Sequence, residues 1–189
     1  MDAFLISTGV VALAEMGDKT QLLALILAAR FRTPLPIILG IFVATVTNHA
    51  IAGALGAWVN SLVGPDVMRW ILGVSFIAMA AWVLVPDKYE AQQSEPGRFG
   101  AFGTTLMVFF LAEIGDKTQI ATVALAAQYD ALIAVVSGTT LGMMIANVPA
   151  VLLGNVAAEK LPLKIIRAVA AAIFLMIGLM VLAAPWLRH

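Results

Sequence analysis

The residues best equipped for chemistry in this chain occur twice. Leu13-Ala-Glu-Met-Gly-Asp-Lys-Thr-Gln21 returns as Leu111-Ala-Glu-Ile-Gly-Asp-Lys-Thr-Gln119, with eight of nine letters identical at a constant offset of 98. Both copies lie inside apolar runs long enough to cross a bilayer. A carboxylate at that depth costs roughly 2.5 to 3.5 kcal/mol on insertion scales, so a doubled Glu and Asp calls for a compensating partner. On one continuous helix Glu15 and Asp18 share a face, and Gln21 follows on the same stripe. Glu113, Asp116 and Gln119 repeat the pattern. Brought face to face, the two motifs predict a cage of four carboxylates and two carboxamides, an oxygen-rich site suited to Ca²⁺, Mg²⁺ or Mn²⁺. Carboxylates that take protons when empty and release them to a divalent cation would couple the two flows.

The neighbouring residues admit two readings each. Lys19 and Lys117 follow their glutamates at i+4, the orientation for an ion pair on one helix, where they neutralise the empty site; alternatively they snorkel away. Asp18 and Asp116 have no evident additional cationic partner within the apolar helices. Gly17 and Gly115 serve close packing, or local unwinding that frees backbone carbonyls. Thr20 and Thr118 offer hydroxyl ligands or bond their own backbone. A second polar cluster comprises Thr45, Thr47, Asn48 and His49, and then Thr139, Thr140, Asn147 and Pro149, with His49 aligned to Asn147. His49 would ligate a transition metal, relay protons, or sit neutral in the core. Asn48 and Asn147 are carbonyl ligands or interhelical hydrogen-bond donors.

These residues must be positioned by membrane-embedded elements. The chain is 62% hydrophobic and 12% charged, with a mean hydropathy of +1.00, which identifies an all-α integral membrane protein in contact with the lipid bilayer. Zero formal net charge offers no basic stripe for nucleic acid, and the absence of cysteine excludes disulfides, thiolate metal sites and thiol nucleophiles. Pro, Gly and charge divide the sequence into six apolar segments, about 3–29, 35–60, 67–86, 101–127, 132–157 and 163–187. The offset extends beyond the motif, pairing Gly40 with Gly138, Gly56 with Gly154, Arg69 with Arg167 and Phe76 with Phe174. The expected architecture is therefore six transmembrane helices as two three-helix repeats, 1–86 and 101–189, joined by a cytoplasmic linker over 87–100. An odd helix number per repeat makes the two halves inverted in the membrane.

Lys and Arg distribution sets the orientation. The connections after the first, third and fifth segments carry Arg30, Arg32, Lys88, Arg98, Lys160, Lys164 and Arg167, against Arg69 and Arg188 on the other side. The positive-inside rule then puts the odd connections in the cytoplasm and both termini outside. The N-terminal Met1-Asp-Ala-Phe4 lacks a basic region, and the first apolar run carries the motif, so it is expected to be retained. Trp70, Trp82 and Trp186 lie where interface anchors belong.

The doubled E-x-G-D-K-T, once in each three-helix half, resembles the signature of the Golgi-type calcium/manganese-proton antiporter family, which includes bacterial manganese exporters. The resemblance covers the whole chain, and both copies match without departure. It implies export of Mn²⁺, or of Ca²⁺, in exchange for protons, with Glu15, Asp18, Glu113 and Asp116 as the ion-binding core, no cofactor, and a bacterial inner-membrane location. Readings from other classes are an intramembrane aspartyl protease using Asp18 and Asp116 as a proton-sharing dyad, a membrane scaffold locked by Glu-Lys pairs, and an ion channel.

Overall fold

The computed structural model describes residues 1–85, 99–153 and 163–183. The described residues form eight helices: α1 (Asp2–Glu15), α2 (Lys19–Phe31), α3 (Pro34–Leu62), α4 (Pro65–Val83), α5 (Gly100–Glu113), α6 (Lys117–Gln128), α7 (Leu132–Leu153) and α8 (Leu163–Ala183). Four of them, in α3, α4, α7 and α8, are long and apolar enough to cross a membrane, and α5 is a shorter apolar helix. Most of the linker over 87–100, the ends of the last two apolar segments, Trp186, and the charges Lys88, Arg98, Lys160 and Arg188 lie outside the described residues.

The first and fourth apolar segments are not the continuous helices their hydropathy predicts. Each is two short helices, α1 with α2 and α5 with α6, of 14, 13, 14 and 12 residues. At about 1.5 Å per residue, none reaches across the roughly 30 Å hydrocarbon core alone. Glu15-Met-Gly-Asp18 closes as a type II turn: Met16 has φ −61° and ψ 118°, Gly17 has φ 78°, and the Asp18 N–H donates to the Glu15 carbonyl at 3.0 Å. Ile114 (φ −63°, ψ 120°) and Gly115 (φ 76°) repeat it, with Asp116 N–H donating to Glu113 O at 3.2 Å. A type II turn requires positive φ at its third residue, which is why glycine stands there. The unwinding reading of the two glycines therefore holds. Around Gly115 an added Cβ would meet nothing within 4 Å, so close packing is not its role.

Small residues bring the other helices together. A Cβ on Gly138 of α7 would lie 2.5 Å from the Phe4 carbonyl oxygen of α1, and one on Gly142 2.6 Å from the Thr8 carbonyl oxygen. At the position equivalent to Gly138, Gly40 of α3 has the same task against α5, where a Cβ would stand 2.8 Å from Thr105 Cβ. Backbones this close gain dispersion energy that lipid cannot compete with. α4 and α8 pack on each other, with Phe76 and Phe174 stacked at 6.3 Å between ring centroids. Trp70 and Trp82 on α4 are exposed, as interface anchors would be.

Candidate cation site

The two turns place the motif carboxylates at helix ends. Glu15 and Glu113 are the last residues of α1 and α5, whereas Asp18 and Asp116 are the N-caps of α2 and α6. The expected helical face shared by Glu15, Asp18 and Gln21 does not form, because the helix is interrupted between the two acids. The aspartates are instead aimed by the turn, next to the positive ends of α2 and α6.

All four acids are buried: Glu15 and Glu113 are 0% exposed, Asp18 1% and Asp116 3%. Carboxylate oxygens of Glu15, Glu113 and Asp116 lie within 4.8 Å of one another. One oxygen of each, Glu15 Oε2, Glu113 Oε1 and Asp116 Oδ2, is buried without a hydrogen-bond partner. The remaining oxygens are held in place. Asn147 Nδ2 lies 3.4 Å from Glu15 Oε1 while also donating to the Met143 carbonyl at 3.1 Å. Thr118 Oγ1 donates to Glu113 Oε2 at 3.1 Å. A convergence of buried acceptors from both motifs suits a hard cation with oxygen ligands.

The lysines do not pair with the glutamates of their own helix. Lys117 Nζ of the second motif stands 2.7 Å from Asp18 Oδ1 of the first, and Lys19 Nζ stands 3.2 Å from Asp116 Oδ1. The i+4 pairing fails because the turn removes the helical geometry it needs. The crossing also supplies each aspartate with the cationic partner that the sequence did not reveal. Asp18 and Asp116 are therefore not arranged as an isolated proton-sharing dyad.

The other expected site residues divide. Gln21 Oε1 accepts the Gly17 N–H at 3.0 Å, and Gln119 Oε1 accepts the Gly115 N–H at 2.7 Å, so both carboxamides close the turns. Gln21 Nε2 also donates to the Ala146 carbonyl at 3.0 Å, tying α2 to α7. Asn48 Nδ2 donates to the Phe110 carbonyl at 3.0 Å, the interhelical reading. His49 is fully buried, and neither ring nitrogen has a hydrogen-bond partner. Thr20 Oγ1 is likewise buried without one. One contact was not anticipated: Arg167 Nη2 of α8 donates to the Gly17 carbonyl at 3.0 Å. Its only signal in the sequence is the equivalence of Arg167 with Arg69.

Comparison with known proteins finds relatives across nearly the whole chain. A protein of Vibrio cholerae named "Putative manganese exporter" is 54% identical over 180 residues, covering 95% of this chain and 90% of that protein. GDT1-like protein 3 of Oryza sativa is 28% identical, over 92% of this chain and 71% of its own length. A GDT1-like protein of Synechocystis is 26% identical, over 92% of this chain and 93% of that protein. No solved structure gives a significant match. The profile of the family described as divalent cation/proton antiporter GDT1 matches residues 3–91 and again 101–188, so both motifs fall within matched segments. That family is a class of transporters, not of enzymes, which removes the protease reading. With both copies of the motif matched, the chain belongs to the GDT1 family of divalent cation/proton antiporters and is a multi-pass membrane protein.

Proposed function

We propose that this protein exports Mn²⁺ from the cytoplasm of a bacterial cell, exchanging it for protons at one central site in the inner membrane. The observation that carries the reading is the buried trio of Glu15, Glu113 and Asp116, which draws carboxylates from both motifs into one cluster. Asp18 completes the acidic set under the charge of Lys117, and Gln21 and Gln119 hold the turns. The name of the Vibrio relative supports the choice of Mn²⁺.

Charge balance explains the coupling. When ionised, the four buried carboxylates and the two ammonium groups paired with them leave two negative charges. One divalent cation neutralises them, and so do two protons, so cation and protons are alternative occupants and each expels the other. On this reading the chain is a six-helix inverted repeat, 1–86 and 101–189, in which α1–α2 and α5–α6 are the broken first helices. Half-helix ends at the membrane midplane are the usual place for such sites in secondary transporters. The excess of Arg30, Arg32, Lys88, Arg98, Lys160, Lys164 and Arg167 over Arg69 and Arg188 supports odd connections in the cytoplasm and both termini outside.

Flux in proteoliposomes tests the proposal. Under an imposed proton gradient, Mn²⁺ should move with the native chain and fail to move with Asp18→Asn or Asp116→Asn. Flux of Ca²⁺ in place of Mn²⁺ would reassign the cargo. Flux of neither ion from folded protein would overturn the assignment.

A further inference from the structure

Arg69 and Arg167 occupy equivalent positions, each the fifth residue of its helix, α4 and α8. Their partners differ. Arg167 Nη2 bonds the Gly17 carbonyl at the broken helix of the first repeat. Arg69 is instead parked within its own helix, with Nη1 3.5 Å from Asp66 Oδ1, while its Nε is buried without a hydrogen-bond partner. Asp66 is 89% exposed on its side chain, so that pairing is solvent-screened and readily exchanged.

Local sequence explains the asymmetry. The position equivalent to Asp66 is Lys164, which repels Arg167 where Asp66 attracts Arg69. The turns differ in the same sense. Met16 and Gly17 are half-buried, whereas Ile114 and Gly115, their equivalents, are exposed. α4 and α8 are locked to each other, since a Cβ on Gly73 would collide with Leu182 and one on Gly178 would lie 2.9 Å from Ile77. This pair leans on one half of each broken helix, α8 on α1 and α4 on α6.

We propose that Arg167 and Arg69 are positioning residues that latch the two broken helices in turn: Arg167 holds the Gly17 carbonyl in the conformation described here, and Arg69 leaves Asp66 to hold the Gly115 carbonyl in the opposite-facing one. The inference rests on the alternating-access reading above. Guanidinium is charged in every state, so a bond to a carbonyl is retained whatever the site binds. Because α4 and α8 move as a unit, making one latch breaks the other, and the difference between the two sets the resting population.

The chain has no cysteine, so Met16→Cys or Ile114→Cys gives a single reporter thiol at equivalent places beside the two turns. In proteoliposomes, the rate of reaction with a water-soluble thiosulfonate reports aqueous access, because the thiolate is the reacting form. Arg167→Gln should raise the ratio of the rate at position 16 to that at 114 by about tenfold, the shift that about 1.4 kcal/mol produces. Asp66→Asn, which frees Arg69, should move the ratio the same way. Arg69→Gln should move it in the opposite direction, and Arg167→Lys, still a donor, should stay near the native ratio. A fall at position 114 accompanying the rise at 16 separates a change of state from local uncovering of Gly17. If Arg167→Gln and Arg69→Gln shift the ratio in one direction, or not at all, the latch is wrong. Native Mn²⁺ flux with an unmoved ratio would sink the latch alone; reciprocal shifts without flux of any divalent cation would sink the antiporter reading and leave the latch standing.

Discussion

Lys117 and Asp18 come from opposite copies of the repeated motif, 99 residues apart, and meet at 2.7 Å with almost no exposure of either side chain. The reciprocal pair, Lys19 with Asp116, is longer at 3.2 Å, and its lysine is 28% exposed. The two motifs are therefore cross-braced, each lysine neutralising an acid of the other. A buried ion pair contributes little net stability, but removing one partner strands the other charge.

That asymmetry gives a stability prediction. Lys117→Met should destabilise the protein by about 3 to 5 kcal/mol, the cost of removing one partner of a buried ion pair. Lys19→Met should cost clearly less, since its side chain is partly exposed. Thermal denaturation midpoints in detergent, compared for the two variants, check the order. Adding Asp18→Asn to Lys117→Met should recover part of the loss, because the buried negative charge is removed with the positive one.

The turn geometry predicts how position 115 tolerates change. Open space surrounds a Cβ there, so Gly115→Ala meets only the conformational cost of positive φ, about 1 to 2 kcal/mol. Gly115→Val should be worse, because a β-branched residue resists left-handed backbone. Gly115→Asn should keep the most transport of the three, since asparagine tolerates that region. Initial Mn²⁺ flux at matched protein levels would rank them; Val equal to Asn would refute the turn as the reason for glycine.

Charge balance at the site predicts electroneutral exchange. If two protons replace one divalent cation, flux should respond to the pH gradient and not to membrane voltage. Clamping the potential with potassium and valinomycin at fixed pH gradient measures this directly. A voltage-dependent rate would mean a different proton count or a bound co-ion, since each net charge moved is worth about 2.3 kcal/mol per 100 mV.

His49 stands where the other repeat has Asn147, and Asn147 Nδ2 approaches Glu15. His49 is not among the clustered ligand groups Glu15, Glu113 and Asp116, so replacing the imidazole by the amide that its equivalent uses should leave the preference for Mn²⁺ over Ca²⁺ unchanged. Competition of Ca²⁺ against Mn²⁺ flux in His49→Asn is the readout; unchanged competition assigns His49 to packing, and a lowered preference for Mn²⁺ would bring its nitrogen into the site.

Composition and run length alone established a helical membrane protein, and the doubled motif alone singled out the acids that the structure buries together, because the cost of burying charge in lipid leaves few explanations for a repeated Glu and Asp. The glycine between those acids was visible in the sequence but ambiguous: hydropathy averages over a window and cannot distinguish a continuous helix from two halves joined by a turn. Positive φ at Gly17 and Gly115 decided it. Once the helix breaks, i+3 and i+4 arithmetic no longer applies, and Lys19 and Lys117 find aspartates that no local rule connects to them. Arg167 reaches Gly17 across 150 residues for the same reason. Local periodicity determined what enters the membrane; long-range packing of one motif against the other decided which charges meet.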